Sequence, residues 1–234
     1  MSAYQIINAD SLTLLKDVED ESVDLIVTDP PYSSLEKHRA VGTTTRLTGD
    51  WFPVISNEKL AESVVDMYRI LKPDSHCYVI CDQETHYVIR EAAMACGFTW
   101  KKLLIWDKDS IGMGYSWRSQ HEVICYLEKG KRRLNNLGWS DVLRHKRVRG
   151  AYPTEKPVSL METLIANSSD EGDIVMDMFA GSGSTLEAAL NINRYAVGFE
   201  VSAKACADIK QRLSAFPSRE RLYQPRKQLS LANF

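Results

Sequence analysis

The chain has 234 residues, and its 29 lysines and arginines against 31 aspartates and glutamates give a formal net charge of −2. That length suits one domain, and that charge excludes a protein whose entire surface binds nucleic acid, so any such surface must be a local basic patch. The five cysteines are odd in number and form no C-x-x-C pair, which predicts reduced thiols in a cytoplasmic protein. No secretory leader and no run approaching about 18 apolar residues is present, so we expect no membrane partner.

In chain order, the first strong pattern is a predicted strand followed by an acidic residue at the start of a proline-rich turn. A short strand and one or two helical turns precede the apolar run 23–27, which predicts a buried strand. Directly after it comes the tetrapeptide Asp29-Pro30-Pro31-Tyr32. Each proline fixes its own φ, lacks an N–H and pushes the residue before it toward extended backbone. The carbonyls of Asp29 and Pro30 therefore have few local donors and can point outward.

This turn offers a carboxylate, a carbonyl acceptor and an aromatic ring side by side. The two acceptors can hold the N–H bonds of an exocyclic amino group on a planar heterocycle, and Tyr32 can stack on the ring face. The alternative interpretation is a strand that simply ends in a proline-rich turn. The choice between the two depends on what the rest of the chain contains.

Residues 33–55 are polar and show no clear periodicity. A loop this long is functional or disordered, and its position after the proline-rich turn favours a flap that closes over a site; a passive surface insertion is the alternative. Beyond it, the patterns predict helices at 56–71 and 83–96 and strands at 77–81, 98–106 and 121–127. For His121, which begins the last of these strands, we expect a structural role rather than a catalytic one.

Residues 129–150 form a basic segment with sparse apolar content, in which Asp141 is the only acidic residue. Charge runs are usually solvated faces. So many cations with so little opposing charge favour a surface for an anionic partner, and a solvated loop is the alternative. Near the end of the chain, residues 217–234 predict a poorly ordered tail.

A second turn lies between a predicted strand and a predicted helix that begins near Leu186. It contains Gly181 and Gly183, and glycines in such a turn let a ligand approach the backbone closely. The following strand, 195–200, ends in Glu200, where Rossmann-like folds hydrogen-bond ribose hydroxyls. Since Leu186 stands where a dinucleotide site has its third glycine, we expect a nucleoside ligand without a pyrophosphate. A tight turn without a ligand is the alternative.

Together the two turns resemble the beta group of DNA amino-methyltransferases that use S-adenosylmethionine, in which D-P-P-Y precedes F-x-G-x-G. The second motif stands here at 179–183. Residues 153–157 match the family's P-T-x-K-P, and residues 8–11 match its acid-containing turn ahead of the catalytic strand. Four motifs in one order are far more specific than any one of them. The likeness covers roughly residues 4–32, 60–128 and 152–213.

The resemblance implies an α/β fold. Its sheet is the circularly permuted, Rossmann-like methyltransferase sheet of about seven mostly parallel strands, one of them antiparallel, with helices on both faces. The expected divisions are a catalytic half at 1–128 that includes the flap, a short target-recognition segment at 129–152, a cofactor-binding half at 153–216 and the tail. Both functional turns then lie at carboxyl ends of strands, where open α/β sheets bind ligands.

The resemblance also implies roles for individual residues. The turn from Asp29 to Tyr32 is expected to be catalytic, with Asp29 as a hydrogen-bond acceptor for the target amino group rather than a strong base. Asp10 should contact the cofactor adenine and Glu200 its ribose, while Asp177, Lys156 and Thr185 should lie near the methionine end. The full set expected to bind S-adenosylmethionine is Asp10, Ser11, Thr154, Lys156, Asp177, Phe179, Ala180, Gly181, Ser182, Gly183, Ser184, Thr185 and Glu200. No metal is expected.

The target-recognition segment is expected to contact double-stranded DNA, with most of its cations on phosphates and one or two arginines reading guanine edges in the major groove. So few contacts per chain predict modest affinity, which a homodimer would strengthen. The residues expected to contact DNA are Arg132, Arg133, Arg144, Lys146, Arg147 and Arg149.

The activity expected from these motifs is site-specific methylation of adenine N6 in double-stranded DNA with the base flipped out of the duplex, as in restriction-modification. Asp29 favours adenine, because family members that act on cytosine N4 usually carry Ser there. Cytosine-N4 methylation and a non-catalytic DNA-binding or regulatory protein of the same fold are the alternatives. RNA or protein-glutamine methylation usually carries N-P-P-Y in the opposite motif order, and the absence of a Pro-Cys pair excludes carbon-5 cytosine chemistry.

Overall fold

The computed structural model describes residues 3–32, 54–113, 115–148 and 154–217. Most of the predicted flap, Arg149 and nearly all of the predicted tail lie outside these ranges. The described helices are α1 Ser11–Leu14, α2 Asn57–Ile70, α3 Thr85–Cys96, α4 Val158–Ser168, α5 Ser184–Asn191 and α6 Ala203–Arg212, with a 3-10 turn, Leu15–Asp17, after α1. None of them has the length and apolar character that a membrane crossing requires.

One sheet contains the eight strands of the described ranges. They are β1 Ala3–Asn8, β2 Val23–Thr28, β3 Leu71–Cys81, β4 Thr99–Asp107, β5 His121–Lys129, β6 Val142–Arg144, β7 Ile174–Asp177 and β8 Tyr195–Glu200. Their order across the sheet is β1–β8–β7–β2–β3–β5–β4–β6. Neighbouring strands run parallel except at β5, which is antiparallel to both β3 and β4. The predicted mostly parallel α/β sheet with one reversed strand is confirmed.

Alternating side chains along the strands pack into a separate core on each face of the sheet. On β2, Ile26 packs into one core, while Leu25 and Val27 pack into the other. Helices α2 and α3 cover the first core, through residues such as Leu60 and Ile89. Helices α4, α5 and α6 cover the second. Because the central strands are buried on both faces, their sequences are continuous apolar runs.

The long helices begin and end at ordinary capping signals. The Ser56 hydroxyl accepts a hydrogen bond from the Lys59 N–H at 3.3 Å and so begins α2. Gly97 has φ +113° and ends α3, and a Cβ there would lie 2.9 Å from the ring of Tyr68. Only glycine meets both demands at this position.

The sheet differs from the prediction in two places. Strand β6 is an eighth strand within the basic segment; it pairs with β4 and buries only Leu143, and three residues are too few to show an alternating pattern. Strand β3 begins at Leu71 rather than at 77, because Leu71 pairs with Val23 before the ladder breaks and resumes at His76. Residues 72–75, between the predicted helix and the predicted strand, therefore belong to the strand as an irregularity in its pairing with β2.

Candidate active site at the carboxyl edge of the sheet

The strand order brings four acidic residues to one edge of the sheet. Asp10 follows β1, Glu200 ends β8, Asp177 ends β7 and Asp29 follows β2, and these four strands are consecutive neighbours. Adjacent strands lie about 4.8 Å apart. Residues that are far apart in the sequence therefore line one continuous crevice, in the order β1, β8, β7, β2.

Asp177 joins the two halves of this crevice. Its Oδ1 accepts hydrogen bonds from the Thr28 hydroxyl at 2.8 Å and from the Phe179 N–H at 3.0 Å. Burial raises the pKa of Asp177, although hydrogen bonds from Thr185, Phe179 and Thr28 act to lower it. Thr28 is the last residue of β2 and directly precedes Asp29. The strand end that leads into the glycine turn is thus hydrogen-bonded to the residue that precedes the proline-rich turn.

The glycine turn after β7 presents backbone rather than side chains. Gly181 and Gly183 have φ values of +53° and +83°. The Gly181 N–H donates to Glu200 Oε2 at 3.0 Å, and the Ser202 N–H donates to Glu200 Oε1 at 2.8 Å. A Cβ on Gly183 would lie 3.1 Å from Ile209. Burial raises the pKa of Glu200, and these backbone donors act to lower it.

The other residues predicted to bind the cofactor lie around this turn or at its two flanks. Ala180 is buried, and the hydroxyls of Ser182 and Ser184 are hydrogen-bonded at 2.9 Å. At one flank, Asp10 caps α1 by accepting from the Leu12 N–H at 3.0 Å, and Ser11 is buried beside it. At the other flank, the Thr154 carbonyl lies 3.4 Å from Lys156 Nζ. Asp10 thus has a structural bond of its own, and a cofactor contact for it stays a prediction.

The proline-rich turn is packed into the fold, with Pro30 buried and Asp29 and Pro31 partly buried, so the outward-pointing carbonyls that its sequence predicts stay a prediction. Tyr32 is buried and forms an isolated parallel bridge with Ile55, whose N–H donates to the Pro31 carbonyl at 2.8 Å. Within the described residues, no donor is recorded to the carbonyl of Pro30. Asp29 and Pro30 therefore place a carboxylate and a carbonyl group next to each other at the carboxyl end of β2.

A cluster of buried charges surrounds Asp29. Lys156 Nζ donates a short hydrogen bond to Asp29 Oδ2 and lies 3.5 Å from Glu122 Oε2. Lys108 Nζ lies 3.4 Å from the other Glu122 oxygen, Oε1. The Lys156 side chain is 10% exposed, against 23% for Asp29 and 24% for Glu122. A single ammonium is thus placed between two carboxylates.

The protonation states in this cluster follow from burial and from the opposite charges. Burial raises the pKa of Asp29 to about 6, against the lowering effect of Lys156. For Glu122 the balance is reversed: burial acts to raise its pKa, but Lys156 and Lys108 outweigh it and hold the pKa below its ordinary value. Burial acts to lower the pKa of Lys156, yet the two carboxylates raise it overall. At neutral pH Lys156 is therefore an ammonium, and Asp29 and Glu122 are both carboxylates.

Glu122 is the member of this cluster that no sequence motif indicates. It lies near the amino end of β5, and because β5 is the reversed strand, that end meets the carboxyl end of β3, where Val123 pairs with Cys81. The sequence signal is a glutamate at the start of a largely apolar strand, which becomes informative only when the direction of the strand is known. His121 beside it is exposed.

The basic segment is less free than its composition predicts. Arg132 is ion-paired with Asp170 at 3.1 Å, and Arg144 with Asp107 at 3.0 Å. Asp141, the acid expected to oppose these cations, pairs instead with Lys102 on β4. The expectation of little opposing charge is therefore wrong, since acids from other elements of the fold supply it. The predicted DNA contacts that are exposed, with no ion pair recorded in the described ranges, are Arg133, Lys146 and Arg147.

A sequence profile of a family described as DNA methylase matches residues 23–211. The chain belongs to this family. Among similar proteins, type II methyltransferase M.HpaI of Haemophilus parainfluenzae is 28% identical over 240 residues, which cover 90% of this chain and 74% of that protein. DNA adenine methyltransferase YhdJ of Escherichia coli is 27% identical over 241 residues, which cover 86% of this chain and 80% of that protein. This DNA methylase is thus an amino-methyltransferase related to enzymes of restriction-modification.

Solved structures show the same fold. M1.HpyAVI in complex with SAM superposes with a TM-score of 0.69 at 24% identity, covering 90% of this chain and 100% of that chain. The cytosine-N4-specific PvuII DNA methyltransferase gives a TM-score of 0.66 at 16% identity, covering 93% of this chain and 95% of that chain. The fold of this chain therefore also occurs in a cytosine-N4-specific enzyme.

S-adenosylmethionine is the cofactor of this DNA methylase, and the residues of the crevice fit it. Gly181 is partly exposed in this turn, and the Glu200 carboxylate stands beside it as an acceptor that could also serve hydroxyls. The acids along the edge at Asp10, Glu200 and Asp177 are of the charge that a ligand with a sulfonium group requires. No pyrophosphate-binding third glycine is needed for such a ligand.

Proposed function

We propose that this DNA methylase transfers a methyl group from S-adenosylmethionine to adenine N6 at a specific sequence of double-stranded DNA. The main supporting observation is the Asp29 carboxylate at the carboxyl end of β2, one strand away from the glycine turn, beside a Pro30 carbonyl to which none of the described residues donates. An aspartate at this position and the likeness to a DNA adenine methyltransferase favour adenine over cytosine. Cytosine N4 is the second candidate, because a cytosine-N4-specific enzyme shares the fold.

The proposed chemistry starts from the weakness of the nucleophile. The lone pair of the adenine amino nitrogen is delocalised into the ring, and two hydrogen bonds, to the Asp29 carboxylate and the Pro30 carbonyl, favour tetrahedral character at the nitrogen. When bound, the cofactor supplies an electrophilic methyl group on a sulfonium. Holding the amino group in line for attack provides much of the rate. The nitrogen loses its extra proton after methylation, and Asp29, with a pKa of about 6, can accept it.

Tyr32 is proposed to stack on the flipped base. Flipping costs a few kcal/mol of lost pairing and stacking, and stacking on an aromatic ring offsets roughly 1–3 kcal/mol of that cost. The bridge between Tyr32 and Ile55 and the burial of the ring hold it close to Asp29. The ring is thus preorganised instead of being ordered by the substrate.

Base identity is the first test of the proposal. We expect methyl label from S-adenosylmethionine to appear as N6-methyladenine when duplex DNA is digested to nucleosides and separated by chromatography. Label found only as N4-methylcytosine would establish the second candidate. Label found only in RNA or protein would contradict a DNA substrate altogether.

A DNA-contacting surface is proposed where the end of the basic segment meets the loop between β4 and β5. The Arg147 N–H donates to the Lys108 carbonyl at 3.3 Å, so Lys146 and Arg147 lie at the start of this loop, on the active-site edge of the sheet. Within the loop, Tyr115 and Trp117 are fully exposed, and Arg118 is exposed beside them. Exposed aromatic rings interleaved with cations are typical of surfaces that hold nucleic acid by stacking and by charge.

Removing these cations should weaken DNA binding through phosphate contacts. We expect Lys146→Ala and Arg147→Ala each to lower affinity for all duplex sequences alike and to reduce the slope of log K against log salt by about one. Lys210→Ala is the control, because Lys210 is exposed on α6, the helix that covers the β1 side of the sheet. Fluorescence anisotropy at several salt concentrations measures both quantities. Unchanged slopes in both variants would show that this end of the segment is a solvated loop.

A further inference from the structure

The hydrogen bond between Lys156 and Asp29 poses a problem for the proposed reaction. Lys156 Nζ occupies Asp29 Oδ2, an oxygen of the carboxylate that must accept an N–H from the target amino group. A hydrogen bond to an ammonium also draws negative charge from the carboxylate and so makes it a poorer acceptor. Asp29 would therefore be a stronger acceptor for the amino group if Lys156 moved away from it.

Glu122 has the geometry to receive Lys156 when it moves. Its Oε2 atom is buried and makes no hydrogen bond within the described part of the chain, although Lys156 Nζ lies only 3.5 Å away. A buried carboxylate oxygen without a partner is costly. The other oxygen, Oε1, is already turned toward Lys108 Nζ at 3.4 Å. Glu122 Oε2, which lacks a hydrogen bond, thus faces the ammonium of Lys156, which donates its hydrogen bond to Asp29.

We propose that Glu122 is a positioning residue that takes over Lys156 from Asp29 as the target amino group enters. This inference rests on the proposed function, but it holds for either amino base. A change of a few tenths of an ångström to one ångström at Nζ, on the order of a side-chain torsional adjustment, exchanges one hydrogen bond for another. Asp29 Oδ2 is then free for the N–H of the base, while Lys156 remains fully paired. Glu122 touches neither base nor cofactor in this scheme.

Charge is conserved within the cluster during the exchange. Lys108 and Lys156 balance Asp29 and Glu122 before and after it, so no charge is buried or released. Without Glu122, moving Lys156 off Asp29 would leave a buried ammonium without a carboxylate partner, with only the Thr154 carbonyl nearby, which is strongly unfavourable. Lys156 would then stay on Asp29, and the enzyme would bind its ligands but turn over slowly.

Glu122→Gln is the informative variant, because it keeps the size of the side chain and removes its charge. We expect the kcat for methyl transfer to fall by about 10- to 100-fold, which is the order of a lost positioning contribution. The Kd for S-adenosylmethionine and for duplex DNA should stay within about two-fold. Glu122→Asp, which restores the charge on a shorter side chain, should recover part of the loss.

The pH dependence supplies a readout that a purely structural role would not move. The charged groups around Asp29 are Lys156, which lowers its pKa, and Glu122 and Asp177, which raise it. Because activity needs the ionised carboxylate, kcat/KM of the unaltered enzyme should fall as the pH drops through about 6. Removing the Glu122 charge lowers the pKa of Asp29. The acidic limb of the pH profile, where kcat/KM falls as the pH drops, should therefore move to lower pH by roughly one unit.

A second buried glutamate on the same strand gives a matched control. Glu128 lies near the far end of β5, is buried, and pairs with Lys101 Nζ at 2.9 Å. Glu128→Gln should lower thermal stability without changing kcat or the acidic limb. If Glu122→Gln behaves in the same way, with kcat and limb unchanged, Glu122 is only structural and the inference is overturned. If the unaltered enzyme methylates no DNA, the proposed function fails, and this inference fails with it.

Discussion

Asp29→Ala should reduce methyl transfer by roughly 10²–10⁴-fold, the range expected when a group that acts on the reacting atom is removed. The physical reason is that the Pro30 carbonyl alone cannot hold both N–H bonds of the amino group. S-adenosylmethionine binding should stay within about two-fold of the unaltered enzyme, because Asp29 lies one strand away from the glycine turn. Transfer of tritiated methyl groups to duplex DNA and calorimetric titration of the cofactor measure the two quantities.

The loss of Asp29 also removes a partner of the buried Lys156, so a folding defect must be separated from a chemical one. Asp29→Asn keeps the shape and one acceptor oxygen and should retain more activity than the alanine variant while remaining well below the unaltered enzyme. Circular dichroism melting of both variants reports folding. If a folded Asp29→Ala protein turns over at nearly the rate of the unaltered enzyme, Asp29 is not the proposed acceptor.

Gly181→Val should have the opposite signature, with cofactor binding weakened by about 100-fold or more and activity lost as a consequence. Gly181 has φ +53°, a conformation that a β-branched residue adopts only under strain. Valine would also fill the space beside the turn through which a nucleoside approaches, and it would disturb the hydrogen bond from the Gly181 N–H to Glu200. Calorimetric titration with S-adenosylmethionine is the direct measurement.

Gly172 offers a control for the strain itself. Its φ is +87°, a Cβ there would meet no atom within 4 Å, and it lies before β7, at the end of that strand away from the crevice. Gly172→Val therefore carries a similar backbone strain, of about 1–3 kcal/mol, without touching the site. Cofactor affinity should survive in this variant. If both variants lose affinity equally, strain explains the loss, and the close approach at Gly181 plays no part.

The parts of this protein that could be predicted from its sequence are those encoded locally. Continuous apolar runs predict strands such as β2, and the proline-rich turn and the glycine turn each combine strand, turn residue and chemistry within about ten residues. Parallel sheets bind ligands at the carboxyl ends of their strands. This rule alone predicts that Asp29 and Gly181 lie at the same edge of the sheet.

The parts that could not be predicted depend on pairings between distant elements. Glu122 enters the site only because β5 is reversed, and nothing within β5 itself shows that direction. Arg132 and Arg144 appeared free for DNA because their partners, Asp170 and Asp107, lie outside the basic segment. Ion pairs of this kind are set by the sheet order and so have no local sequence signal.

The junction of β2 with β7 has a consequence for synthesis of the protein. Residues that are far apart in the sequence are adjacent here: Leu25 pairs with Val175, and the Thr28 hydroxyl is hydrogen-bonded to Asp177. On a ribosome, the first half emerges with β2 as an open edge strand, which is a template for wrong pairing. Such distant contacts form slowly, and the crevice exists only once β7 has docked. A nascent chain therefore remains inactive, and vulnerable to aggregation, until most of it has been translated.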